Sequence, residues 1–173
     1  MRTLEMNVSD DRSLDIESWL WALGDARRRT LEALEGMDAA IVDRPAGPHG
    51  ETIGMLLYHI AAIEADWLFA DILQRAFPDE IAALLPHDVH DDAGRLSGAA
   101  GQSLDEHLAR LAAVRSHLHL ALTDLPDREW RRTRQMDGYT VTPEWVLHHL
   151  LQHEAEHRGQ IGYLRTLAES GSA

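Results

Sequence analysis

Apolar residues recur at helical spacing in four segments of the chain, and no segment alternates convincingly as a strand does. In the first, about Leu14 to Glu35, Ile16, Leu20, Leu23, Leu31 and Leu34 share one face, with Gly36 as a stop. The second runs from about Thr52 to Arg75 and ends before Pro78. The third opens on a capping box, in which Ser103 accepts from the backbone of Glu106 and the Glu106 side chain reaches back. Its stripe is Leu104, Leu108, Leu111, Val114, Leu118 and Leu122, with Pro126 just beyond. The fourth starts Thr142-Pro143-Glu144, an N-cap, a proline at the first helical position and an acid in the first turn, and continues to about Ala168.

Each segment is roughly 20 to 26 residues long, or about 30 to 39 Å of helix. Four matched amphipathic helices bury their stripes most simply as an all-α four-helix bundle. The stretch Ala76 to Gln102 is too long for a tight hairpin. It is long enough to run back along a helix and so let the second and third helices lie parallel, with a short helical turn expected at Asp79 to Leu85. The expectation is one domain over residues 1–173, its core about 13–168, without internal repeats.

The composition narrows the chemistry. The chain has 173 residues, of which 45% are hydrophobic and 26% charged, near the globular average. It has no cysteine, which excludes disulfides, zinc–thiolate sites and a protein thiol nucleophile. All 16 basic residues are arginine, which excludes Schiff-base lysine and a P-loop lysine. A formal net charge of −13 opposes binding to nucleic acid or anionic membrane. The first ten residues lack the apolar core of a signal peptide, and the apolar run Ile53 to Ile63 is too short to span a bilayer. A cytoplasmic location is the expectation. With no thiolate available, the 11 histidines are the chain's main candidate ligands for a transition metal.

Three of them stand where leucines belong. Stepping by four and three along the fourth helix gives Val146, Leu150, His153, His157, Gln160, Leu164 and Leu167, apolar at both ends and polar in the middle. Burying two imidazoles and an amide unpartnered would cost on the order of 1–3 kcal/mol each. His153 and His157 lie one turn apart on one face, the spacing of helical pairs that share a metal. In the second helix the same stepping gives Thr52, Leu56, His59, Ile63, Asp66, Ala70 and Leu73. If the two faces meet, three nitrogens converge. A hydrogen-bonded core histidine at position 59 and a solvated pair on the fourth helix are the alternatives that spacing leaves open.

The stretch His153-Glu-Ala-Glu-His-Arg-Gly-Gln-Ile161 resembles the signature of the DinB/YfiT-like family of metal-dependent enzymes, which is unrelated to the polymerase called DinB. Leu56-Leu-Tyr-His59-Ile-Ala is similar to that family's second-helix motif, and Asp43-Arg-Pro-Ala-Gly47 and Thr142-Pro-Glu-Trp145 fit as well. The resemblance spans Ser13 to Leu167. It implies His59, His153 and His157 as ligands to one divalent metal, an up-down-down-up bundle and a homodimer. It further implies an enzyme that moves low-molecular-weight thiols, such as bacillithiol or mycothiol, in detoxification or stress response. Zinc is the expected ion; nickel, iron and copper suit three imidazoles too. The substrate is expected to be a small molecule, and hydrolysis or a non-catalytic metal-binding role are the alternatives.

Other residues carry weaker expectations. His153-Glu154-Ala155-Glu156-His157 also fits H-E-x-x-H, with Glu154 as a base, but Tyr163 stands where the extended metzincin pattern needs a histidine. Glu154 and Arg158 are spaced as a surface ion pair. Gly159 in mid-helix suggests a close helix crossing. His149 is placed as a metal-supporting partner or a rim histidine. His87, Asp88, His90, Asp91 and Asp92 read as a solvated acidic loop, and His117 and His119 as surface residues. Arg27 to Arg29 and Arg131, Arg132 and Arg134 read as solvated clusters, the second placed to hold an anionic substrate. The five tryptophans, Trp19, Trp21, Trp67, Trp130 and Trp145, read as packing or dimer contacts.

Overall fold

The structure, a computed structural model, describes residues 1–6, 16–46, 50–90, 94–96 and 100–170. In chain order its elements are β1 (Arg2–Leu4), α1 (Ile16–Leu34), a 3-10 turn (Ala39–Ile41), α2 (Ile53–Asp66), α3 (Asp79–Leu84), α4 (Leu104–Thr123), α5 (Asp127–Trp130), β2 (Arg134–Gln135), β3 (Tyr139–Val141) and α6 (Pro143–Ser170). A π-helical segment, Trp67–Ile72, extends α2. The residues expected to start helices do so. Thr52 Oγ1 accepts from Met55 N at 3.0 Å, both bonds of the Ser103–Glu106 capping box form, and Thr142 Oγ1 accepts from Trp145 N at 3.3 Å.

Side-chain contacts fix the helix directions. Arg27 meets Glu154 and Arg165 donates to the Ala33 carbonyl, so α1 and α6 run parallel. Gly54 faces His107 and Glu64 pairs with Arg115, so α2 and α4 are parallel too. His59 faces His153 and Trp67 faces Trp145, which makes α2 antiparallel to α6. The bundle is therefore up-down-down-up, as the resemblance implies. The long connection makes this possible, and α3 lies within it where the short helical turn is expected. Arg110 on α4 donates to the Leu84 carbonyl at 2.7 Å, and Tyr58 on α2 donates to the His87 carbonyl at 2.8 Å and accepts from His87 N at 2.9 Å.

α2 is the central helix, buried on nearly every side from Ile53 to Ala65. With its extension it is long and apolar enough to cross a membrane by length and composition, whereas the run ending at Ile63 is not; 72% of its most apolar window lies inside the bundle. The core position accounts for that composition. Leu111, Val114, Leu118 and Leu122 are buried on α4 as the stripe predicts. On α1, Leu31 departs from expectation and is 41% exposed. It sits about 80° around the helix from Leu23, and Ala26, Arg27 and Thr30 take the buried places.

Among the described residues three strands appear where none is expected, because two or three residues are too few for an alternation to register. β3 is central, parallel to β1 and antiparallel to β2, with Leu4 opposite Val141 and Arg134 opposite the same residue. Thr142 N donates to the Leu4 carbonyl at 3.2 Å, so the sheet leads directly into the first turn of α6.

Candidate metal centre

His59 on α2 and His153 and His157 on α6 come together, because the two helices cross with their polar seam positions facing. His153 Nε2 lies 3.1 Å from His59 Nε2 and 3.0 Å from His157 Nε2. Among the described residues these three form the one group of possible metal ligands whose atoms converge, all within 4.8 Å of one another. His59 is buried and the other two are half-buried. Burial first, and the neighbouring imidazoles second, push His59 down to about 4 and His153 down to about 3. His157 is lowered too, by burial, against the opposing pull of Gln160. All three rings are thus neutral at pH 7 and have lone pairs to offer.

The hydrogen-bond arithmetic fits a cation. His157 Nδ1 lies 2.7 Å from the Gln160 amide oxygen, an acceptor, so Nδ1 carries the proton and Nε2 is a bare lone pair. A single proton on His153 Nε2 can serve only one of its two close neighbours. At least one short nitrogen–nitrogen contact is therefore left unmatched by hydrogen bonding alone. A divalent ion accepts all three lone pairs, and tetrahedral zinc at about 2.0–2.1 Å from each nitrogen would set them about 3.3 Å apart. The residues fit the group. His59 Nδ1 is buried without a hydrogen-bond partner among the described residues.

Glu154 does not belong to this centre. Its carboxylate is 2% exposed and lies in a cluster of four charges, one from each long helix. Arg27 donates to Glu154 at 2.7 Å and to Glu64 at 2.8 Å, and Arg115 donates to Glu64 at 2.7 Å and to Glu154 at 2.8 Å. Their remaining donors reach the Leu111 and Leu23 carbonyls. Burial pushes the Glu64 carboxyl up, but Arg115 and Arg27 outweigh it and hold the group below its ordinary value. This corrects three expectations. Arg27 is not solvated, Glu154 is not placed as a base, and it forms no pair with Arg158, which donates to the Ala26 carbonyl at 3.4 Å. Arg27 stands on the α1 stripe itself, four residues from both Leu23 and Leu31, while Glu64, Arg115 and Glu154 each directly follow a stripe position, a weak signal that only the partners make intelligible.

A profile of the DinB superfamily matches residues 22–161. The chain belongs to the DinB superfamily. No curated protein matches it in sequence. Solved structures share the fold, two among them at 18% and 20% identity. One is a conserved protein from Enterococcus faecalis, 18% identical, with a TM-score of 0.71, covering 92% of this chain and 99% of that one. The other is YfiT from Bacillus subtilis, described as a probable metal-dependent hydrolase with an unusual four-helix bundle topology. It is 20% identical, with a TM-score of 0.60, over 92% of this chain and 91% of that one.

The remaining candidate positions of this DinB-superfamily chain have distinct fates. His149 stacks on Trp145 at 5.2 Å, packs against Trp67 at 4.8 Å and lies 5.8 Å from the His153 ring, a rim position. His87 and Asp88 are exposed, and Asp91 and Asp92 lie outside the described residues. His90, also exposed, brings its ring within 5.7 Å of that of His59, a proximity no sequence spacing indicates. Gly159 is exposed, and among the described residues nothing lies within 4 Å of where its Cβ would stand, so no close crossing is formed there by those residues. His119 is exposed, whereas His117 is half-buried, 3.7 Å from Glu80. Arg28 and Arg29 pair with Asp25 on the surface. Arg131 pairs with Glu144 and Arg132 with Glu129, and Arg134 is buried on the Glu129 and Arg132 carbonyls, so this second group braces the turn before α6. Trp130 is in the core and Trp21 is exposed.

Proposed function

We propose that His59, His153 and His157 hold one divalent metal ion, zinc first among the candidates, and that the protein is a metal-dependent enzyme. The observation that carries this reading is the convergence of three Nε2 atoms, with the proton of His157 kept on its far side by Gln160. Bound by three neutral imidazoles, such an ion lowers the pKa of a water or small thiol in its open position and supplies a nucleophile near neutral pH. Burial keeps the rings unprotonated, and the packing of α2 against α6 holds them in register. With no cysteine in the chain, a thiolate has to come from a small molecule. The leading reading is transfer of a low-molecular-weight thiol to an electrophile, in detoxification or stress response, by a cytoplasmic homodimer. Hydrolysis is the second reading, supported by the description of YfiT as a probable metal-dependent hydrolase.

Elemental analysis of protein purified without an affinity tag tests the first step, with about one ion per chain expected and His153→Ala expected to lose it while staying helical. Unchanged metal content in that variant would overturn the ligand assignment. Consumption of several small thiols in the presence of an electrophile, set against hydrolysis of the same compound without thiol, separates transferase from hydrolase. No acceleration by zinc, nickel or iron in either assay would leave a non-catalytic metal protein.

A further inference from the structure

His157 is also a wall of a cavity of about 440 Å³. Among the described residues the cavity is lined by Leu56 of α2, Leu96 of the long connection, and His157, Gln160, Tyr163 and Leu164 of α6, with Glu51 at one side. Four of these present apolar surface, and the polar ones lie at the end nearest the histidines or on the loop before α2. The volume is that of a small-molecule site, and a mostly apolar lining with a few polar groups at one end is the usual make-up of such a site. Tyr163 is 59% exposed although α6 has buried positions on either side of it, so a large ring is held open to solvent at the mouth of the cavity.

We infer that the substrate is a neutral amphiphile whose apolar group, alkyl or aryl, fills this cavity while its polar head reaches the three histidines. This rests on the metal reading for the position of the head; the tail site rests on the cavity itself. The chain's net charge of −13 argues the same way, since it repels anionic substrates at long range. The side chains of Leu56, Leu96 and Leu164 also offer an ionised tail no hydrogen bond to replace its water. Leu96 and Tyr163 line the cavity from the long connection and from α6, and in this reading they set the length of tail that is accepted.

The test uses straight-chain hydroxamic acids of two to eight carbons, titrated calorimetrically into the zinc-loaded protein. Affinity should rise about fourfold per added methylene until the cavity is full. A terminal carboxylate on the six-carbon chain should weaken binding by about tenfold or more. Leu96→Asp and Tyr163→Ser should flatten the chain-length dependence and leave the affinity for acetohydroxamic acid unchanged. In parallel, 1-hexanol added to the His153→Ala protein should shift the methyl resonances of Leu56 and Leu164 saturably, without any metal. A flat series with acetohydroxamic acid still bound would overturn the tail site and leave the metal reading standing. Hexanol shifts without binding of any hydroxamic acid would overturn the metal reading, and the placement of the head with it. A change in sedimenting mass on Tyr163→Ser, with no probe bound, would make the cavity part of a protein interface and end the proposal.

Discussion

Arg27 and Glu154, 127 positions apart in the chain, meet at 2.7 Å inside the bundle. Glu154 follows His153 directly, yet the two side chains serve different parts of the molecule. Successive helical residues diverge by about 100°, so the imidazole turns toward α2 and the carboxylate toward the charges of α1 and α4. The H-E-x-x-H spelling thus joins a candidate metal ligand to a structural acid.

Removing one member of that cluster should be severe. Glu154→Ala leaves Arg27 and Arg115 with an unmatched buried charge, a change that costs about 3–5 kcal/mol. Urea denaturation should show the loss, and metal content per folded chain should be unchanged. Full stability with lost activity would instead restore Glu154 as a base.

Gln160→Leu removes the acceptor that holds the His157 proton on Nδ1. Loss of such a partner costs about 10–100-fold in metal affinity. Competition with a chelator measures it, and Gln160→Glu should retain most of the affinity. Equal affinity in the leucine variant would mean that the tautomer is set elsewhere.

Acid should destabilise the fold in part through His107. The ring is fully buried, and burial first and Arg110 second push it down to about 4. Arg110 donates to Nδ1 at 3.0 Å, so Nε2 carries the proton of the neutral ring. In the unfolded chain the same group takes up a proton near its ordinary 6.5. The unfolded state therefore binds more protons between about 4 and 6.5, and stability falls as pH drops through that window, being fully present above it. Urea midpoints at pH 7.5 and pH 5 should converge in His107→Gln relative to the parent protein. An identical pH dependence in both would remove His107 from the account.

Gly54→Ala should destabilise the protein despite the better helix former. The added Cβ would stand 2.8 Å from Asp43 Oδ1 and 3.0 Å from His107 Nε2, a notch with no room for it. Overpacking of this kind costs typically about 1–3 kcal/mol, more than the gain of roughly 1 kcal/mol from helix propensity. Thermal unfolding reads the balance, and a raised midpoint would show that α2 and the Asp43 loop yield easily.

Much of the candidate site was legible because it interrupts a local pattern. His59, His153 and His157 occupy apolar seam positions, and the periodicity that places them needs only residues a few steps away. The helix starts at Thr52, Ser103 and Thr142 were legible for the same reason, since an N-cap bonds within three residues. The three strands were too short to register, and Gly159 misled because low propensity does not reveal what, if anything, packs against a glycine.

The local order of apolar and polar residues determined the four long helices, their caps and the histidines that break their stripes, since each follows from bonds and spacings inside one turn or two. Tertiary structure alone decided that Arg27, Glu64, Arg115 and Glu154 neutralise one another, that His90 comes close to His59, and that a cavity opens beside His157. Whether a charge can be buried, or a space left open, depends on groups brought in from other helices, and no spacing along the chain records them.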